Sequence, residues 1–295
     1  MGVAPRPRPA SPCVGACALD EASGLCVGCA RTRDEIARWG SADEAFRARV
    51  WAELPARAAA LGLAARRLDW RGATLLDEVE RRFAEAAGTF VVGVYGAVAE
   101  VLRDPDEPFE AQREGLALTL RTGRAAMRIE APDHLAAFEL VRPGNAPLIA
   151  FAVPESRLGA PGPGALTPLG KDAGALLARD ADGVRFDVGL GRSAARFSIR
   201  CPAPLAARLA EHVGEAWPDH LDRIRAAMVE ESPVRIVETA GLRAEIDAAI
   251  PPPGGTSPEG PHTHLLPDHV AQGFDAPPTL PLPKGYAVCA IFYPA

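Results

Sequence analysis

Lysine is nearly absent from this chain: Lys171 and Lys284 are the only two, so 30 of the 32 basic residues are arginine. With abundant alanine, this is the codon signature of a GC-rich bacterial genome. A dispersed arginine surface is therefore not in itself a nucleic-acid patch. No stretch approaches the roughly 18 uninterrupted apolar residues that a membrane span needs. The first ten residues carry two arginines with no apolar segment behind them, which excludes a secretory signal and leaves a disordered lead-in. The expectation is a soluble, cytoplasmic protein that makes no contact with a membrane. Catalytic signatures are also missing. There is no G-x-S-x-G elbow, no H-E-x-x-H, and no Gly-Lys-Ser/Thr ending or second glycine cluster near Gly189-Leu190-Gly191, which reads as a hairpin turn.

At 295 residues the chain exceeds a typical single domain of roughly 100 to 200, so one small and one large domain are expected. The predicted limits are a lead-in over 1–10, a cysteine module over 11–58 and a larger domain over 69–295. Charge divides along the same line, +3 over residues 1–67 and −9 over the remainder, for a total of −6. An acidic large domain makes nucleic acid an unlikely partner and leaves a protein or a small molecule.

Four of the six cysteines, Cys13, Cys17, Cys26 and Cys29, fall within 17 residues as C-V-G-A-C and C-V-G-C. In a reducing compartment such a cluster binds metal rather than forming disulfides. Four thiolates suit tetrahedral zinc or an iron-sulfur cluster. Gly15 and Gly28 lie inside the two cysteine turns, where tight curling calls for positive φ and aims backbone N–H groups at sulfur. Arg31 and Arg33 are positioned to offset thiolate charge. Between the turns, Leu19 to Leu25 has the pattern of a short hairpin. Thr32-Arg33-Asp34-Glu35 is a capping box opening one helix, and Ser41-Ala42-Asp43-Glu44 opens a second that places Phe46, Val50 and Leu54 on one face and ends near Pro55. A module of about 50 residues needs the metal as a staple.

The run from Ser11 to Arg57, with all four cysteines and Arg-Thr-x-x-Glu-Ile-x-x-Trp, resembles the bacterial four-cysteine domain of unknown function 1289, a predicted iron-sulfur protein family. That resemblance implies a metal centre on the four cysteines. Their spacing, which lacks the ferredoxin C-x2-C-x2-C and C-x4-C-x2-C patterns, favours zinc, with an iron-sulfur cluster as the alternative.

In the larger domain, a helical pattern over Leu75 to Ala86 precedes the apolar run TFVVGVYGAVAEVL, whose period fits strand or helix. Short strand candidates follow at Leu116 to Arg121, Ala125 to Ile129, Leu135 to Val141 and Leu148 to Val153. Further candidates are Val184 to Val188, Ala194 to Ile199, Val234 to Thr239 and Leu242 to Ile246. Residues 204–231 read as two helices, the second beginning at Pro218. The fold class is α+β: a small metal knuckle with two short helices, then a mainly antiparallel sheet with flanking helices.

Half of the six histidines fall in PPPGGTSPEGPHTHLLPDHV. His262 and His264, two residues apart, share one side of an extended segment, and His269 follows beside Asp268, so a mixed histidine and carboxylate metal site is sterically open, with Cys289 as a further candidate ligand. Against this stands the reading that these residues cap a helix and brace a loop. His134, His212 and His220 are isolated, and Cys201 before a proline reads as a buried structural thiol. FDVGLG, the late hairpin, SPEGPHTHLLP and Leu-Pro-x-Pro-x-Gly-Tyr make the domain similar to a second uncharacterised bacterial family, which implies one unit running to the C-terminus and no assigned activity.

Three functions fit: a metal-binding accessory protein whose large domain takes a partner or small ligand, a hydrolase-like metal enzyme using His262, His264 and His269, or an iron-sulfur redox carrier or sensor. Nucleic-acid binding through the basic first 67 residues, which would depend on Arg31 and Arg33, ranks last.

Overall fold

A computed structural model describes residues 10–295; the predicted lead-in falls almost wholly outside the described residues. Two sheets stack face to face. The first runs in the order β1 (Ala65–Arg67), β7 (Ala136–Arg142), β8 (Asn145–Pro154), β15 (Tyr286–Pro294), β2 (Gly88–Val94), β3 (Ala97–Val101) and β14 (His262–Leu265). The second runs β4 (Glu110–Glu114), β5 (Ala117–Arg121), β6 (Ala125–Glu130), β13 (Leu242–Ile246), β12 (Val234–Thr239), β11 (Ala195–Cys201), β10 (Val184–Asp187) and β9 (Thr167–Lys171). Every pairing is antiparallel. With helices α1 (Arg33–Arg38), α2 (Glu44–Ala60), α3 (Gly72–Ala84), α4 (Ala203–Ala210), α5 (Leu221–Glu231) and α6 (Pro267–Ala271), the chain is α+β.

The interior follows from strand alternation. Phe90, Val92, Phe151 and Phe292 of the first sheet meet Leu118, Met127, Phe197 and Val237 of the second in one core. Helix α3 adds Leu75, Leu76, Val79 and Phe83 to it. The ambiguous run TFVVGVYGAVAEVL is a hairpin, β2 and β3 joined at Tyr95-Gly96. A cross-strand partner for each residue from Phe90 to Val94 decides in favour of strand over the helical reading of its alanine-rich half. The nine-residue β15 lies centrally between β8 and β2. Its run is buried on both faces, so it carries no two-residue period to flag it as a strand.

Two expectations about boundaries change. Helix α2 is capped by Asp43 rather than Ser41, and it passes through Pro55 to Ala60. Arg57, bound to Glu35 at 2.7 Å and also to Glu53, holds that last turn in place. Between the predicted module and the predicted larger domain, residues 65–67 pair with β7 at the edge of the first sheet. The second helix in the 204–231 stretch starts at Leu221, after a run of turns that includes Pro218.

The second sheet has its outer face covered by residues 172–179. Leu177 packs on Ala126, Val234 and Ile236. Beside it Arg200, fully buried, binds Asp172 at 2.8 Å and Glu245 at 3.0 Å, and Glu245 accepts the backbone N–H groups of Leu176 and Leu177 at 2.9 and 3.0 Å. Arg243 binds Asp172 and Glu245 from the other side. Buried charges persist only when paired and hydrogen-bonded, and here every member is.

Candidate metal centres and a ligand cleft

The cysteine module is built from its own residues. Leu19 bridges Cys26 and Leu25 bridges Thr32, which returns the second cysteine turn onto the first. Gly15 N–H points at Cys13 Sγ and Gly28 N–H at Cys26 Sγ, both at 3.4 Å. Gly15 has the expected positive φ of 84°. Gly28 does not: its requirement is space, since a Cβ there would stand 2.3 Å from the Ala16 carbonyl oxygen. Arg31, almost fully buried, donates from Nε to Cys29 Sγ at 3.4 Å while its guanidinium stacks over Trp39. Arg33, by contrast, is exposed. The capping box is present, with Thr32 accepting from Glu35 N–H and Glu35 from Thr32 N–H.

Cys26 and Cys29 are buried, Cys13 is half-buried and Cys17 is exposed. Burial pushes the Cys26 thiol up, but the amides of Gly28 and Cys29 outweigh it and the net shift is downward; at Cys29 burial wins over Arg31 and the shift is upward. No three of the four sulfurs lie within 4.8 Å of one another. Amide and guanidinium donors on three of the four sulfurs nevertheless fit anionic ligands, so Cys13, Cys17, Cys26 and Cys29 are the residues that would hold an ion here. The module rests on the first sheet, where Val14 packs among Phe138, Leu140, Ala150 and Val288. Arg67 reaches from β1 to the Cys13 carbonyl at 3.4 Å and to the Tyr286 hydroxyl at 3.3 Å.

The histidine loop behaves differently. Residues 262–265 form edge strand β14, which places His262 opposite Glu100 and His264 opposite Val98 on β3. Ala97, Ala99 and Val101 of β3 face the core, which leaves Glu100 on the other face with both histidines. His264 Nε2 lies 3.2 Å from Glu100 Oε1, His262 Nε2 lies 3.8 Å from Glu100 Oε2, and the two Nε2 atoms are 3.0 Å apart. Among the described residues this is the one group of three or more histidine, cysteine or acidic side chains whose ligand atoms all lie within 4.8 Å of each other.

His262 Nδ1 is 2.8 Å from the Gly260 carbonyl oxygen, to which it can only donate, so Nε2 carries the lone pair in the neutral ring. His264 Nε2 then has one proton to offer to two acceptors, His262 Nε2 and Glu100. The Glu100 hydrogen bond raises His264 above its ordinary value, and the His264 hydrogen bond in turn lowers Glu100.

His269 stands apart from this group. On α6 its ring stacks on Tyr95 with centroids 4.7 Å apart and an interplanar angle of 2°. Gly96, at φ 85°, permits the approach: a Cβ there would lie 2.6 Å from His269 Cβ. Asp268 is exposed, and Cys289 lies in the core between the sheets, its thiol pushed up to about 12 by burial. The third member of the group is thus Glu100, 162 positions before His262, which the sequence reading missed. Its one signal is a lone carboxylate in the apolar alternation of AVAEV, legible only once that run is known to be a strand.

Two clefts flank β14. One, of about 420 Å³, is bounded by α5, residues 249–258 and β14, with His262, Thr263 and His264 in its wall. The other, of about 240 Å³, is lined by His264, His269, Tyr95 and Tyr293. The larger sits at the scale of small-molecule sites, roughly 300 Å³ and upward. The remaining histidines do not join them: His212 pairs with Glu215 at 2.9 Å, and buried His220 bonds the Ala216 carbonyl through Nδ1. Cys201 is a buried thiol pushed up to about 12.

The family of unknown function DUF6925 matches residues 74–295, three quarters of the chain, and the chain belongs to it. The protein of unknown function family DUF1289 matches residues 11–58, in agreement with the four-cysteine resemblance. No curated protein matches, and no solved structure does.

Proposed function

We propose that this DUF6925 chain is a two-centre metal protein: a structural zinc in the cysteine module, and a reactive divalent ion held by Glu100, His262 and His264 beside a small-molecule cleft. The large domain is then a metal-dependent enzyme of hydrolytic type rather than a passive accessory. The observation that carries this reading is the convergence of one carboxylate oxygen and two imidazole Nε2 atoms that together have one proton to share, with His262 oriented by the Gly260 carbonyl. A divalent ion satisfies all three at once. Two imidazoles and a carboxylate are the donor set of catalytic zinc and of non-haem iron, and three protein ligands leave positions open, unlike a closed four-thiolate site. An ion bound there would supply Lewis-acid polarisation of a carbonyl or a water. Six free thiols support a place in the reducing cytoplasm. Among the described residues no helix is long and apolar enough to cross a membrane.

Metal content of the full chain, purified without oxygen, tests this directly. Wild type should carry two equivalents. His262→Ala with His264→Ala should retain only the cysteine-bound ion, and Cys26→Ser with Cys29→Ser only the other. Equal content in wild type and the double histidine variant would remove the second centre. Brown colour with acid-labile sulfide, lost in the cysteine variant, would replace zinc by an iron-sulfur cluster. Glu100→Gln should weaken the second ion by about tenfold or more while leaving the first untouched.

A further inference from the structure

The larger cleft contains a charge that the metal reading does not use. Arg235, on β12, is 2% exposed and points between the sheets, into the wall of the 420 Å³ cleft. The other buried arginine of the sandwich, Arg200, is matched by Asp172 and Glu245. Arg235 has no carboxylate within 4.0 Å among the described residues. Its partners are neutral oxygens: the Thr263 hydroxyl at 3.4 Å from Nε, and the Pro233 and Ala248 carbonyls at 2.8 and 2.6 Å from Nη1. No described residue accepts from Nη2. Burial lowers its pKa to about 10, which still leaves it a cation at neutral pH. The nearest charges that act on it are Asp247, which is bound to Arg179, and Arg179 itself, and they oppose each other. A guanidinium kept in an apolar interior with no carboxylate in contact is costly, and a leucine or methionine would fill the same volume without that cost.

The walls around it are Phe197, Leu221, Ile224, Met228, Ile250 and Leu265. The other arginine at this cleft, Arg225, is exposed and tied to Asp222 at 2.7 Å. One buried cation with one unengaged nitrogen, at the wall of an otherwise apolar cleft, matches a single negative charge on an apolar body.

We propose that the cleft binds an apolar carboxylic acid, its carboxylate on Arg235 and its hydrocarbon body along Ile224, Met228 and Leu265. Thr263 ties this site to the metal site: its hydroxyl contacts Arg235, while His262 and His264 on either side wall the same cleft. The Arg235 contact does not depend on the ion, so the inference goes beyond the metal reading and can fail separately.

Calorimetric titration of the full chain with octanoate and with uncharged octanamide tests it. Octanoate should bind wild type at least about tenfold more tightly than octanamide, because a charge-assisted hydrogen bond is lost with the charge. Arg235→Met should erase that preference. Met228→Trp, which fills the cleft and leaves Arg235 in place, should abolish binding of both, and it keeps the test decisive if Arg235→Met does not fold. His262→Ala with His264→Ala, which also trims the cleft wall, should keep the preference for octanoate over octanamide whatever it does to the affinity of both. Equal binding of octanoate and octanamide to wild type, or no octanoate binding at millimolar concentration, would overturn the proposal. So would octanoate binding that survives Arg235→Met and vanishes in the histidine variant, since the carboxylate would then sit on the ion.

Discussion

The two candidate metal centres are made in opposite ways. The cysteine module draws its four sulfurs from 17 consecutive residues, and amides two positions away point at two of them, so its architecture travels with the segment. The edge-strand site takes one ligand from β3 and two from β14 and exists only because those strands pair. The local site should tolerate insult to the sandwich and depend on its ion for folding. The non-local site should depend on the sandwich and contribute little to its stability.

Cys26→Ser with Cys29→Ser gives the sharpest test and the largest effect. A structural zinc in a small module accounts for roughly 10 kcal/mol or more of folding free energy. The variant should lose hydrogen-exchange protection over residues 26–60 while the core strands β2, β8 and β15 keep theirs. If protection in the sandwich fell equally, the contacts of Val14 and Arg67 would be binding the two regions into one cooperative unit, and the contrast would fail.

A buried charge in the sandwich should cost less but act globally. Asp172→Asn leaves Arg200 and Arg243 short of a partner, at a cost of about 3 to 5 kcal/mol by denaturant unfolding. Burial pushes the Asp172 carboxyl up, but the hydrogen bonds and charges of Arg200 and Arg243, with the charge of Arg185, more than offset it and hold the group below its ordinary value of 3.8. A depressed folded pKa means that the stabilisation is complete above the unfolded value and is lost as pH falls through the folded one. The difference in stability between wild type and variant should therefore be constant from neutral pH down to about 4 and narrow below it.

The smallest effect belongs to the module's first helix. Thr32→Ala removes one half of the capping box and should cost about 1 kcal/mol, read as increased exchange over α1 alone. A change reaching α3 or the sandwich would show that the module is not the self-contained unit its contacts describe.

How much was legible in the sequence follows the same division. The hairpin between the cysteine turns and the Thr32 box are short-range patterns in which each residue's partner lies a few positions away, and they appear as read; of the two turn glycines Gly15 has the expected positive φ and Gly28 does not. Hairpins with two-residue turns, such as β12 with β13 through Ala240-Gly241, were equally plain. Edge strand β14 lay hidden in a proline-rich stretch, and β15 in a run buried on both faces. The candidate third ligand was placed at His269 because only sequence neighbours of the histidine pair could be considered; strand register substitutes Glu100.

By itself, then, the sequence determined the α+β class, the run of the cysteine module and its Thr32 cap, because these rest on composition, period and neighbouring residues. Only the tertiary structure decided which carboxylate faces His262 and His264, that His269 stacks on Tyr95 instead, and that Arg235 lies buried with no carboxylate in contact. Those facts depend on which strands pair, in what register and on which face, and a one-residue shift of β14 would turn both histidines to the opposite face.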